Sequence, residues 1–185
     1  MAISPKLATE VEQRARRIEL ILMDVDGVLT DGRILLLPSR DGRIREVKMF
    51  DVQDGVGISF AHRVGLRTGL LTGRTSMSVV ARAKELRMEI IEQGSHNKLD
   101  SYEKIKVMAR LEDAAIAYMG DDYQDLPVLR RAGLAAAPAN AQPEIQQVCH
   151  LVTQREGGRG AVRELMDFII KAQGKWEQIM ARYRA

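Results

Sequence analysis

Short, nearly continuous apolar runs alternate along the chain with stretches in which apolar residues recur every three or four positions. Residues 18–23 (IELILM) read as a strand buried on both faces of a parallel sheet. Further runs of this kind are RTGLLT (67–72), MEIIEQ (88–93), AAIAYMGD (114–121), LAAAPA (134–139) and HLVTQ (150–154). Helical spacing fills the intervals at 56–64, 77–86, 99–111, 125–132 and 144–148. This alternation predicts an α/β fold with a doubly wound parallel sheet, in which ligands sit at the carboxyl ends of the strands.

Three segments lie outside the alternation. Residues 1–17 are polar and charged and predict a loose or helical N-terminal arm. Residues 33–50 (RILLLPSRDGRIREVKMF) hold two β-rich runs around a turn at Asp41 and Gly42, which predicts a small hairpin flap. It starts just after a group of acidic residues and is placed to overhang them. At the far end, Ala161, Leu165, Phe168, Ile169, Ala172, Trp176 and Ile179 form one apolar stripe, predicting a long amphipathic helix over 160–183.

Composition narrows the function. A chain of 185 residues with 45% hydrophobic and 29% charged residues has the balance of one folded soluble domain over 1–185. A net charge of +3 with only 4% aromatic residues argues against a nucleic-acid platform. A single cysteine, Cys149, excludes an intrachain disulfide and a cysteine-based zinc cluster, and suits a reducing cytoplasm. No apolar run reaches the roughly 20 residues that span a bilayer, and MAISPKLATEVEQRARR lacks the apolar centre of a signal peptide. A cytoplasmic protein with no membrane contact is expected.

The candidate chemistry lies where apolar runs end. ELILMDVDGVLTDG closes a buried run with Asp24, Asp26 and Asp31, and YMGDDYQDLP closes another with Asp121, Asp122 and Asp125. Either group alone is as well explained by a turn or a helix cap. Two such groups at strand ends of one parallel sheet converge on one face, and packed carboxylates call for a cation. Hard oxygen ligands of this kind suit Mg²⁺. A carboxylate held against Mg²⁺ stays ionised and can attack phosphorus, giving an aspartyl phosphate that water later hydrolyses. LLTGRT adds Thr72 at a third strand end, followed by a turn at Gly73 whose backbone N–H groups can face an anion, and GSHNKLDS adds Lys98 at a helix start. His62, His96 and His150 lack metal-ligand spacing; His96 is expected to edge the site beside Lys98, and His62 to pack or cap on a helix.

In order, DVDGVLTDG, LLTGR, HNKL and GDDYQDLP resemble the four motifs of the haloacid dehalogenase (HAD) superfamily, mostly Mg²⁺-dependent phosphatases. VQDGVGI, QGSHNKL and GGRGAVREL are similar to its capless branch that hydrolyses 3-deoxy-D-manno-octulosonate 8-phosphate (KDO 8-phosphate). The resemblance spans about residues 19–173. It implies Asp24 as nucleophile and Asp26 as general acid and base, with Thr72 and Lys98 on the phosphoryl group. It implies Mg²⁺ held by Asp24, the Asp26 carbonyl and Asp121, with Asp125 supporting the metal shell or Lys98. It further implies a Rossmann-like fold with no cap domain, and a homotetramer in which a neighbour closes each site. Arg74 and Arg159 are the candidate cations for a substrate carboxylate, while Gln53 stands where the family usually has a basic residue. Alternatives are a relative or complex subunit acting on a nonulosonate or aryl phosphate, and a phospho-receiver signalling domain. The Asp-x-Asp spacing, the hairpin and the C-terminal helix argue against the receiver.

Overall fold

Strand β1 (Leu20–Met23) is fully buried, and its side chains feed two cores in turn. Leu20 and Leu22 join one core and Ile21 and Met23 the other, as the period-two geometry of a strand requires. Being covered on both faces is the reason the run is apolar throughout instead of alternating. The computed structural model describes residues 5–184.

Helix α1 (Pro5–Ala15) precedes β1, and a hairpin of β2 (Leu35–Pro38) and β3 (Ile44–Val47) follows it. Then come α2 (Val52–Arg63), β4 (Arg67–Leu71), α3 (Met77–Glu85), β5 (Ile90–Glu92), α4 (Lys98–Ala109) and β6 (Ile116–Met119). The chain continues through α5 (Leu126–Leu129), β7 (Leu134–Ala137), α6 (Pro143–Val148), β8 (Leu151–Val152), α7 (Ala161–Ala172) and α8 (Trp176–Met180). Six strands form a parallel sheet in the order β5-β4-β1-β6-β7-β8. Residues of α1, α2, α3, α7 and α8, among them Val11, Ile58, Val79, Leu165 and Ile179, share the core of Ile21 and Met23. Residues of α4, α5 and α6, among them Tyr102, Val128 and Ile145, share that of Leu20 and Leu22. From β1 the chain moves outward through β4 and β5, then returns to β6 on the other side of β1. The winding direction therefore reverses at β1, and a crevice opens at the carboxyl ends of β1, β4 and β6.

The doubly wound sheet, the hairpin and all the expected strands are present, each sheet strand shorter than the apolar run that announced it, by one residue at β4 and by four at β6. Residues 5–15 of the N-terminal arm are helical, with Val11 and Ala15 in the core, while residues 1–4 lie outside the described part. In the hairpin Leu35 pairs with Val47 and Pro38 with Ile44, and the turn closes through Ser39 N–H on the Arg43 carbonyl at 2.8 Å. The single helix expected over 160–183 is instead two. Helix α7 stops where Gly174 takes φ +68°, and Lys175 N–H turns back onto the Ile170 carbonyl at 3.0 Å. The apolar stripe gives no sign of the break because α8 resumes it in phase, burying Ile179 and setting Trp176 edge-on to Phe60 at 6.3 Å.

Candidate active site

Asp24 directly follows β1 and extends its pairing with β6, its N–H donating to the Met119 carbonyl at 2.9 Å. The chain then turns sharply, with the N–H groups of Val28, Leu29 and Thr30 all converging on the Val25 carbonyl. Gly27 has φ +86°, and a Cβ there would lie 2.0 Å from Asp121 Oδ2, so the two acidic strand ends meet only because residue 27 has no side chain. Asp24, Asp121 and Asp125 each place an oxygen within 4.8 Å of the other two. Lys98 opens α4 behind its cap Asn97, and its Nζ lies 2.8 Å from Asp24 Oδ2 and 2.6 Å from Asp125 Oδ1. Thr72 is buried at the end of β4. With Gly73, Arg74, His96 and Gln124 these groups line a cleft of about 630 Å³.

The carboxylates divide by what they already hold. Asp125 is fully engaged: Oδ1 accepts from Lys98 and from the Tyr118 hydroxyl, and Oδ2 from the N–H groups of Asp121 and Asp122. Asp121 Oδ1 is buried with no hydrogen-bond partner. Burial, then the charges of Asp125 and Asp24, push the Asp121 carboxyl up to about 7. Burial, with Asp125 adding to it and Lys98 opposing, raises Asp24 to about 6. Burial works against the Lys98 ammonium, but the charges of Asp24 and Asp125 outweigh it and hold its pKa above the usual value. One lysine does not balance this many packed carboxylates. The unpartnered Oδ1 of Asp121, beside an Asp24 carboxylate whose Oδ1 accepts from Val25 N–H and whose Oδ2 faces Lys98, fits a small hard dication, with Asp125 as the strut that aims Lys98 and the loop after β6.

A family profile described as haloacid dehalogenase-like hydrolase matches residues 69–165. The chain is 38% identical over 171 residues, 92% of its length and 89% of the relative's, to 3-deoxy-D-manno-octulosonate 8-phosphate phosphatase KdsC of Yersinia pestis. It belongs to the haloacid dehalogenase-like hydrolases. A crystal structure of 3-deoxy-D-manno-octulosonate 8-phosphate phosphatase from Moraxella catarrhalis, in complex with magnesium ion, phosphate ion and KDO, superimposes with a TM-score of 0.89 at 37% identity, covering 95% of this chain and 98% of that one. A cobalt-bound deoxy-D-mannose-octulosonate 8-phosphate phosphatase from Haemophilus influenzae gives a TM-score of 0.81 at 33% identity, covering 88% and 93%.

Within this HAD framework the structure brings together Asp24, Asp26, Thr72, Gly73, Arg74, Lys98, Asp121 and Asp125, and His96 edges the cleft as expected. Asp122 caps the turn at Tyr123–Asp125. His62 packs with its ring nitrogen 2.7 Å from the Thr68 hydroxyl, and burial pushes the Cys149 thiol up to about 12, which leaves it inert at neutral pH. Arg159 is not in the cleft: its side chain is 60% exposed and lies 3.8 Å from Glu156. The glycines around it serve close packing. A Cβ at Gly157 would meet the Gly27 carbonyl at 1.8 Å, and one at Gly158 would meet the Asp31 N–H nitrogen at 2.5 Å, so this loop braces the turn after Asp24. Asn140 ties the same two segments, donating to the Gly27 carbonyl at 3.0 Å and accepting from Gly157 N–H at 2.6 Å. Gln53 lies outside the cleft as well, and the Arg155 guanidinium donates to its Oε1 at 2.6 Å.

Two residues that sequence reasoning passed over reach the site from the hairpin. Lys48, almost fully buried, pairs with Asp26 Oδ1, and Glu46 pairs with the Arg74 guanidinium. The signal was present in IREVK, where Glu46 and Lys48 stand two apart and so share a strand face. Their partners are 22 and 28 residues away in sequence.

Proposed function

We propose that the chain is a Mg²⁺-dependent phosphatase that hydrolyses KDO 8-phosphate to KDO and inorganic phosphate through an aspartyl phosphate on Asp24. The observation that carries this reading is the group of buried Asp24 and Asp125 with half-buried Asp121 around Lys98, in which Asp125 is satisfied and Asp121 Oδ1 open. Relatives that act on KDO 8-phosphate, alike over nine-tenths of the chain, support the substrate.

An Asp24 carboxylate oxygen attacks phosphorus as the P–O bond to the sugar breaks. Asp26, two residues on, gives its proton to the departing sugar oxygen, then takes one from the water that cleaves the aspartyl phosphate. That water breaks the new P–O bond, so Asp24 is regenerated and phosphate leaves. The Thr72 hydroxyl, Gly73 N–H and Lys98 ammonium face the transferring group's outer oxygens, where charge gathers. The Asp24 and Asp121 carboxylates and the Asp26 carbonyl would hold Mg²⁺, which would supply the positive charge that lets an anionic carboxylate approach a phosphate. Arg74, at the cleft's mouth, is the cation for the sugar's carboxylate.

The hairpin supports a homotetramer in which a neighbouring copy closes each cleft. Ile34, Leu35, Leu36, Leu37 and Ile44 are each between 46% and 62% exposed, so neither hairpin face is polar enough to be left to water. The cytoplasm is the compartment that suits the lone thiol, and among the described residues no helix is long and apolar enough to cross a membrane.

Phosphate release from a panel of sugar phosphates, with and without chelator, tests the proposal. KDO 8-phosphate should be turned over repeatedly and fastest, and chelation should stop release until Mg²⁺ is restored. Faster release from neutral sugars would overturn the substrate, release in excess chelator would overturn the metal, and one equivalent of sugar freed with the phosphate retained on the protein would point to a phospho-receiver.

A further inference from the structure

Arg74, the cation best placed to meet a second anionic group on a substrate, already has a partner. Its guanidinium donates to the Glu46 carboxylate, which β3 sends down from the hairpin, and its Nε lies 3.6 Å from Asp26 Oδ2. Half of the Arg74 side chain faces solvent at the mouth of the cleft, whereas Glu46 is only 17% exposed. Glu46 Oε1 lies 3.3 Å from the Lys48 ammonium. Burial pushes the Glu46 carboxyl up, but the Arg74 hydrogen bond and the Lys48 charge more than reverse this, so it stays ionised at neutral pH. A carboxylate held against a cation of a cleft meant for anions opposes their binding unless it has a task.

We propose that Glu46 is a specificity-determining residue that competes with the substrate's carboxylate for Arg74. The inference rests on the acidic-sugar reading of this site. A planar guanidinium can clasp a carboxylate through two parallel N–H bonds, but Arg74 already gives Nη2 to Glu46 Oε2, so a substrate carboxylate meets a guanidinium that is partly taken. A sugar acid takes hold of Arg74 by displacing Glu46. Because Lys48 is already beside Glu46, the displaced carboxylate keeps a cation and is not left buried and unpaired. A neutral sugar phosphate has no group to make this exchange and leaves the Glu46–Arg74 pair standing. The product sugar acid carries the same carboxylate as the substrate, so competition from Glu46 also limits how tightly product is held.

The test uses Glu46→Gln, which keeps the side chain's length and an acceptor oxygen but removes the charge. kcat/KM for KDO 8-phosphate and for glucose 6-phosphate, and the inhibition constant of free KDO, are measured in the Mg²⁺-loaded wild type, Glu46→Gln, Arg74→Ala and the double variant. Circular dichroism confirms that each is folded. In Glu46→Gln the ratio of acidic to neutral kcat/KM should rise about two- to fivefold, the scale of a partly exposed ion pair, and KDO should inhibit more tightly by a similar factor. With Arg74→Ala in the background, Glu46→Gln should no longer move the ratio. An unchanged or lower ratio in Glu46→Gln, or an equal rise without Arg74, overturns the inference. Failure of the wild type to hydrolyse KDO 8-phosphate would overturn the substrate proposal and this inference together, whereas hydrolysis with an unmoved ratio overturns this inference alone.

Discussion

Replacing Lys98 with methionine removes the charge at the centre of the site while keeping most of the side chain's length. Lys98 Nζ sits 2.8 Å from Asp24 and 2.6 Å from Asp125, with side-chain exposures of 3%, 12% and 1% for the three groups. At an effective dielectric of about 20, each contact is worth roughly 6 kcal/mol of gross attraction. The lysine's own desolvation, several kcal/mol, offsets part of this, so losing the cation should destabilise the metal-free protein by about 3–5 kcal/mol. That is a large share of the roughly 5–15 kcal/mol that holds a domain folded. Urea unfolding in chelator measures it, and added Mg²⁺ should recover part of the loss, because a dication takes over neutralisation of Asp24 and Asp121. Phosphate release by the refolded, Mg²⁺-loaded variant should fall about 100- to 1,000-fold, the scale for losing one preorganised donor to the transition state. A stability loss below about 1 kcal/mol together with wild-type release would refute the assignment of Lys98 as the cation shared by nucleophile and phosphate.

Asp26→Asn keeps an oxygen for Lys48 to donate to but carries no proton between leaving group and water, so steady-state release should drop about 10²- to 10⁴-fold with the fold intact; a drop under tenfold would assign the proton transfer elsewhere. Asp54 caps α7 through Arg163 N–H at 2.8 Å, and burial raises its carboxyl to about 6. A carboxyl raised in the folded state contributes stability that is present below its unfolded pKa and lost as pH rises through about 6. The unfolding free energy of wild type relative to Asp54→Asn should therefore fall by about 1 kcal/mol between pH 5 and pH 8, and a flat difference would contradict the shift. Leu36→Asp should split the assembly, so light scattering should give a tetramer for the wild type and smaller species for the variant; a monomeric, fully active wild type would contradict closure by a neighbour.

What could be read from the residues depended on whether the deciding contacts were local. β1 was legible because burial on both faces leaves an unbroken apolar run, and the acidic clusters were legible because each sits directly where such a run stops. Lys98 was legible as a helix start because Asn97 supplies the cap. The break at Gly174 was hidden by an apolar stripe that two short helices continue in phase. Glu46 and Lys48 were hidden because their roles depend on how the hairpin folds back over Asp26 and Arg74. Where Arg159 lies was not legible either, because the glycines beside it are set by a non-local contact: they let one backbone press against another at Gly27.

The central claim is that Asp24 becomes phosphorylated during turnover. Wild-type enzyme mixed with KDO 8-phosphate and Mg²⁺, quenched within a turnover and treated with borohydride, should carry homoserine at position 24 by peptide mass spectrometry, since an acyl phosphate is reduced and a free carboxylate is not. Asp24→Asn should show neither the modification nor phosphate release. Release of phosphate with position 24 unmodified, or sustained release by folded Asp24→Asn, would contradict the account.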